Sequence, residues 1–203
     1  MKSVATQELY AYWNALRGAR AAPRRDEIDP IAIPHSLPEI FLLELREGDR
    51  IAVRLAGTRL CELYGRELRG CSASALWAPQ SHREIDQVLH DVMADAAVAI
   101  IAAEARRDER DAGAFELVIT PLADGGGTCR YIIGALTPSS SPARALDRID
   151  ALEARSARLS WPSGLRQDGR LERGPGPAGD ARQVGRFVVY DGGLELAKPE
   201  AST

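Results

Sequence analysis

The sequence predicts an α+β domain: a five-stranded antiparallel sheet with helices on one face, an N-terminal helix, and a largely disordered C-terminal tail. Three observations predict it. Two alternating segments, 41–46 and 50–56, flank Glu47-Gly48-Asp49, a short Gly-containing hairpin turn. A segment opening at Ser81 repeats apolar residues at helical spacing. Three further strand-like segments follow at 97–106, 114–122 and 128–136, the last two joined by Asp124-Gly125-Gly126-Gly127.

Taken in order, Leu9, Tyr12, Trp13 and Leu16 form one apolar stripe on a first helix over 4–16, and Gly18 stops it. Pro23, Pro30, Pro34 and Pro38 then hold an extended linker. In the second strand Ile51, Val53 and Leu55 alternate with Arg50, Ala52 and Arg54, so one face is buried and one meets water. Thr58 starts a short helix carrying Leu60, Leu63 and Tyr64, ended by Gly65, and a helical turn is expected over 73–77. Ser81 and Glu84 have capping-box spacing. Behind them Ile85, Val88, Leu89, Val92 and Met93 share one face, and burying each is worth about 1.5–3 kcal/mol. In the fourth strand Phe115, Leu117 and Ile119 alternate with Glu116, Val118 and Thr120.

Past Pro138 the character changes. Residues 139–142 read as a linker, 143–159 as a polar helix, and 161–180, with eight Gly or Pro in twenty residues, as disordered. A short β-like segment is expected at 185–190. The chain thus divides into a helix and linker (1–36), a folded domain (37–138) and a flexible tail (139–203).

Composition narrows the function classes. With 45% hydrophobic and 27% charged residues the chain is globular, and a net charge of −3 gives no whole-chain attraction to nucleic acid or anionic membrane. The nine arginines between 144 and 186 are offset by six acids, a mixed-charge tail and not a nucleic-acid arm. Three cysteines without metal-like spacing, no apolar signal segment and no run long enough to span a bilayer predict a reduced, cytoplasmic protein. No Ser/His/Asp arrangement, HExxH or paired-carboxylate motif is present, so no catalytic residue and no metal ligand is assigned.

Several stretches are more specific: YWNALRG (12–18), PRRDEIDP (23–30), LPEIFLLEL (37–45), AGTRLCELYGRELRG (56–70), LW (76–77), ITPLADGGGTCRYIIGALTP (119–138) and RFVVYDGG (186–193). In order and spacing they resemble a family of small stand-alone bacterial PAS-domain proteins, with GTRL…YGRELRG the most distinctive piece. The resemblance implies a PAS fold, a non-enzymatic role in signal transduction, frequent dimerisation, and contact with a signalling partner such as a kinase or regulator. It brings no established chemistry and names no ligand.

On that fold a small-molecule pocket is expected between the helices and the sheet, lined by Phe41, Leu43, Val53, Leu55, Tyr64, Trp77, Phe115, Leu117 and Ile133. Arg59, just after the Gly-Thr helix start, is either an anion or ligand contact at its mouth or a salt bridge fixing helix to sheet. If Phe41, Leu117 and Ile133 face the pocket, Leu42, Val118 and Ile132 form a second apolar face needing its own cover. A homodimer through Leu9, Tyr12, Trp13 and Leu16 is expected there. No cofactor is assigned. Cys61 lacks the photoreceptor context of a flavin adduct-forming thiol and reads as a structural thiol, Cys71 and Cys129 have nothing nearby to lower their pKa, and His82 and His90 read as boundary residues before haem ligands. Two alternatives stand beside the sensor: an interaction module with a filled core, in which Tyr64 and Trp77 plug the cavity, and a hot-dog-like thioesterase.

Overall fold

The hairpin between the first two strands turns on backbone geometry. Gly48 and Asp49 both take positive φ, 72° and 61°, and fold β1 (Ile40–Leu45) against β2 (Ile51–Ala56). This geometry comes from a computed structural model of the 203-residue chain, which describes residues 3–108, 110–139, 148–161, 181–184 and 187–190.

Four more strands, β3 (Val98–Arg107), β4 (Arg110–Ala123), β5 (Cys129–Pro138) and β6 (Ala151–Ser160), complete an antiparallel sheet of order β2-β1-β5-β4-β3-β6. Six strands stand where five were expected. The sixth stands at Ala151–Ser160, where the later part of the polar helix predicted over 143–159 was expected, and removes those residues from the predicted flexible tail; 143–147 lie outside the described residues. Its pattern misleads for a physical reason. Ile149, Leu152 and Leu159 sit at helical spacing, yet a bulge at Arg155 (Ala103 opposite Ala154, Ala102 opposite Ser156) shifts the strand by one residue. Leu152, Ala154, Ala157 and Leu159 therefore all reach the same core despite breaking strict alternation. The linker expected at 140–142 and the Gly- and Pro-rich stretch at 162–180 lie outside the described residues. Further on, β7 (Ala181–Val184) and β8 (Phe187–Tyr190) pair antiparallel as a two-stranded sheet.

The helices divide between the two faces of the sheet. On the outer face lies α1 (Val4–Arg17), whose Leu9, Tyr10 and Trp13 bury against Val118, Leu122, Ile133 and Ala135. The inner face is closed by the helical insert, with α2 (Thr58–Tyr64) and α3 (His82–Asp95) joined through 3₁₀ turns. All five apolar residues expected on α3 are buried. The capping box expected from Ser81 and Glu84 does not form: a 3₁₀ turn at Pro79–Ser81 runs straight into α3, and the Ser81 side chain makes no cap. Its Oγ instead accepts a hydrogen bond from the Ala154 amide at 3.1 Å.

That bond belongs to a larger pattern. The insert pairs with both outer strands of the sheet, which would otherwise expose unpaired backbone groups. At β2, Val53 N donates to Cys71 O (2.9 Å) and Gly70 N to Val53 O (2.7 Å). At β6, Ala78 N donates to Leu152 O (2.7 Å), and Trp77 and Leu152 form a parallel bridge. The insert thus spans the inner face from one edge to the other and is fastened at each.

Candidate functional site

Under this insert the structure leaves an apolar cavity of about 40 Å³. The sheet supplies Phe41 and Leu43 from β1, Ile101 from β3, Leu117 and Ile119 from β4, Leu136 from β5 and Leu152 from β6. The insert supplies Leu60 and Tyr64 from α2, Ala73, Leu76 and Trp77 from the 3₁₀ region, and Ile85 and Leu89 from α3. The lining is almost entirely carbon, and the Tyr64 hydroxyl donates to Leu76 O at 3.0 Å. Burial pushes the Tyr64 phenol well above its usual range, so it is neutral at any ordinary pH.

Phe41, Leu43, Tyr64, Trp77 and Leu117, all expected at the pocket, line this cavity. Val53 and Phe115 are buried in the same core without lining it. Two expected residues point elsewhere. Leu55 is 53% exposed: Leu43 stands opposite Val53 but Leu42 opposite Leu55, so the extra residue Arg54 turns Leu55 to the outer side. Ile133 packs under α1, and Ile132 faces the inner core in its place. Both residue sets of β5 are apolar because both faces of the sheet are covered, so its phase is not readable from composition. The structure fixes it through Gly134, which stands opposite Phe41. A Cβ at Gly134 would run into the Phe41 ring and the Val118 carbonyl oxygen, so only glycine lets the ring lie there.

Arg59 takes the structural alternative. Its guanidinium pairs with Glu39 at the end of the linker, with the arginine side chain 65% exposed and the glutamate largely buried. Half of the stripe expected at a dimer surface on α1 is taken up within the chain. Leu9 and Trp13 have no exposed surface in the single chain, and the Trp13 indole N–H donates to Pro121 O at 2.7 Å. Tyr12 and Leu16 are half-buried, and the Tyr12 hydroxyl accepts a hydrogen bond from Asp29 N at 2.7 Å. The second apolar face is thus covered by the chain's own helix.

The other candidate groups sit outside the cavity. Cys61, Cys71 and Cys129 are free and half-buried, and none lines it. Burial pushes the Cys129 thiol up to about 11, with Asp124 adding to the rise, so it stays protonated near neutral pH. His82 Nε2 lies 2.8 Å from Trp77 O, and His90 Nδ1 lies 2.7 Å from Asp86 O. No group of three or more His, Cys, Asp or Glu among the described residues could hold a metal ion. A flavin or haem does not fit the space: drug-sized ligands need roughly 300–1,000 Å³, and no charged side chain faces in to meet a phosphate or propionate. Asp124 to Gly127 form a hairpin loop, with the Asp124 carboxylate accepting from the Gly126 and Thr128 amides.

Sheet order, helical insert and a cavity between them are the features of a sensory fold, and the sequence comparison decides which. A family model described as PAS domain matches residues 1–137. The chain belongs to the PAS domain family. Its PAS fold sets aside a hot-dog architecture, and a PAS domain of this kind is a signalling sensor domain. Among solved structures it is similar to a light-oxygen-voltage domain studied with a flavin analogue (17% identity over 55% of this chain and 84% of that one, TM-score 0.42). It is similar also to the light state of the blue-light photoreceptor Aureochrome1 LOV (15% identity, 54% and 88%, TM-score 0.40). A third is the Vibrio cholerae VqmA dimer (17% identity, 56% and 52%, TM-score 0.41), of which this chain spans about half. All three TM-scores lie below 0.5, so the assignment of this PAS domain rests on the family match and the strand order. No curated protein matches the chain. No helix among the described residues is long and apolar enough to cross a membrane.

Proposed function

We propose that this PAS domain is a non-enzymatic regulatory module, a cytoplasmic small-molecule sensor or adaptor that acts through dimerisation and contact with a signalling partner such as a kinase or another regulator. One observation carries the reading. The cavity wall presents no carboxylate, imidazole, thiol or amine, and its tyrosine hydroxyl is already committed to a backbone carbonyl. A molecule held there can be bound but finds no acid, base or nucleophile to transform it. The signal is then read out as a change in association. Because α1 spends Leu9 and Trp13 on its own sheet, the dimer contact falls to Tyr12, Leu16 and the exposed Val4. Native mass spectrometry with absorbance spectra of the purified full chain tests this. A dimer mass that shifts when a ligand is added is the expected result, and a monomer that binds nothing and joins no partner contradicts it.

A second reading is favoured by the smallness of the cavity. Tyr64 and Trp77 crowd it, as a purely protein-binding module with a filled core would require. A metabolite screen by thermal shift separates the two. A sensor gains RT ln(1 + [L]/Kd) in stability from its ligand, whereas a filled core gains nothing.

A further inference from the structure

We infer that the cavity is a dry site selective for a small, neutral, apolar molecule of a few heavy atoms. The inference rests on the sensor reading above and names the class of ligand it would take. Size sets the upper bound. The cavity volume of about 40 Å³ lies far below the roughly 300–1,000 Å³ of a drug-sized site, so only a small molecule is held without displacing the wall. Chemistry sets the class. A buried water requires two to four polar partners, and the Tyr64 hydroxyl, whose hydrogen is donated to Leu76 O, offers at most an acceptor. Water is therefore a poor occupant, and a charged or strongly polar group would lose its hydration without a partner in exchange. An apolar molecule loses little on leaving water and regains the dispersion contacts that the void forfeits.

The wall also resists enlargement on the side where a larger ligand would have to push. Trp77 N donates to Ser74 O at 2.9 Å, the Trp77 carbonyl lies 2.8 Å from His82 Nε2, and the next residue, Ala78, is hydrogen-bonded to Leu152 O. Tyr64 is tied to Leu76 across the same segment. The insert is thus pinned to β6 beside the cavity, and admitting a polycyclic cofactor means breaking several of these bonds together.

Xenon is the direct probe, because it is apolar, monatomic and demands no hydrogen bond. Methyl-resolved NMR of the full chain under increasing xenon pressure is expected to give saturable shifts confined to lining residues such as Leu60, Ile85 and Leu136. Leu136→Ala, which enlarges the space, is expected to tighten binding several-fold. Ala73→Leu, which fills it, is expected to abolish the saturable shifts, and Ala73→Val serves where that variant does not fold. Shifts that grow linearly and scatter over the surface overturn the proposal. Separate arms with flavin mononucleotide and hemin distinguish it from the sensor reading. If either binds at the lining residues while xenon does not, the site is a sensor of another class and only this inference falls. If xenon, flavin and hemin all leave the lining unshifted, this inference fails, and a thermal-shift screen that also finds no ligand removes the sensor reading.

Discussion

The two faces of the sheet are both apolar and both covered, yet they are closed by different physics. On the outer face α1 is set by specific polar bonds: Trp13 to Pro121 O, Thr6 to the Glu116 carboxylate at 3.1 Å, and Ser36 to Glu8. On the inner face the insert is fastened at the two sheet edges, by backbone bonds and by the Ser81 hydroxyl accepting from the Ala154 amide, while the space between is filled mostly by apolar side chains. Polar bonds fix distance and direction, so α1 is held in one place with Trp13 fully buried against the sheet. A lid held only at its rims keeps whatever void the side chains fail to fill. The difference locates responsiveness: an occupant can act on the inner face, and the outer face is built to stay closed.

The largest expected effect tests the closed face. Trp13→Ala removes a fully buried indole and its bond to Pro121 O, and should cost about 3–5 kcal/mol in urea unfolding. A loss below 1 kcal/mol, on the order of an exposed-site change, would mean that α1 is not part of the folded unit. Gly134→Val is next. It drives a side chain into the Phe41 ring and the Val118 carbonyl oxygen and is expected to cost roughly 1–3 kcal/mol or more; paired with Phe41→Ala, the loss at Gly134 should shrink in part, since the ring clash is removed and the backbone one stays.

How far the sequence reveals this arrangement differs between the faces. The α3 stripe, the α1 stripe and the hairpin turns are legible because each rests on local periodicity or on residues suited to positive φ. The PAS fold follows from those elements in order together with the family-like words. What the sequence conceals is phase. Leu55 and β6 are misread because bulges at Arg54 and Arg155 shift the alternation, and a bulge leaves no mark in composition. Ile132 and Ile133 are exchanged because they are chemically identical and each face has its own cover. Leu152, a cavity residue, is missed because its strand reads as a helix. Leu9 and Trp13 of the expected dimer stripe turn to the sheet instead for a related reason: an apolar stripe states that something covers it, not whether the cover is the same chain.

Smaller effects sharpen the comparison at the rims of the lid. Tyr64→Phe keeps the ring and removes one hydrogen bond to Leu76 O, leaving that carbonyl without this donor. The expected cost is about 1 kcal/mol by thermal unfolding, with hydrogen exchange rising over 73–77. The smallest effect is at His90, on the outer end of α3. Burial acts to lower its pKa, but the Asp86 carbonyl and Asp49, 3.2 Å away, outweigh it and raise the folded value. A raised folded pKa adds stability that is present in full below the unfolded value of about 6.5 and is lost as pH rises through the folded one. His90→Gln should flatten that slope, by little, since the Asp49 partner is 77% exposed and solvent screens the pair. An unchanged slope would remove the Asp49 contact from the account.

The inner face contains a void beside Ala73, whereas Ala135 on the outer face lies in the buried cluster beneath α1. Urea unfolding of two variants with the same added atoms, Ala73→Val at the cavity wall and Ala135→Val beneath α1, tests this difference most directly. Ala73→Val is expected to keep or raise stability, whereas Ala135→Val is expected to lose roughly 1–3 kcal/mol from overpacking. Equal losses at the two positions would contradict it.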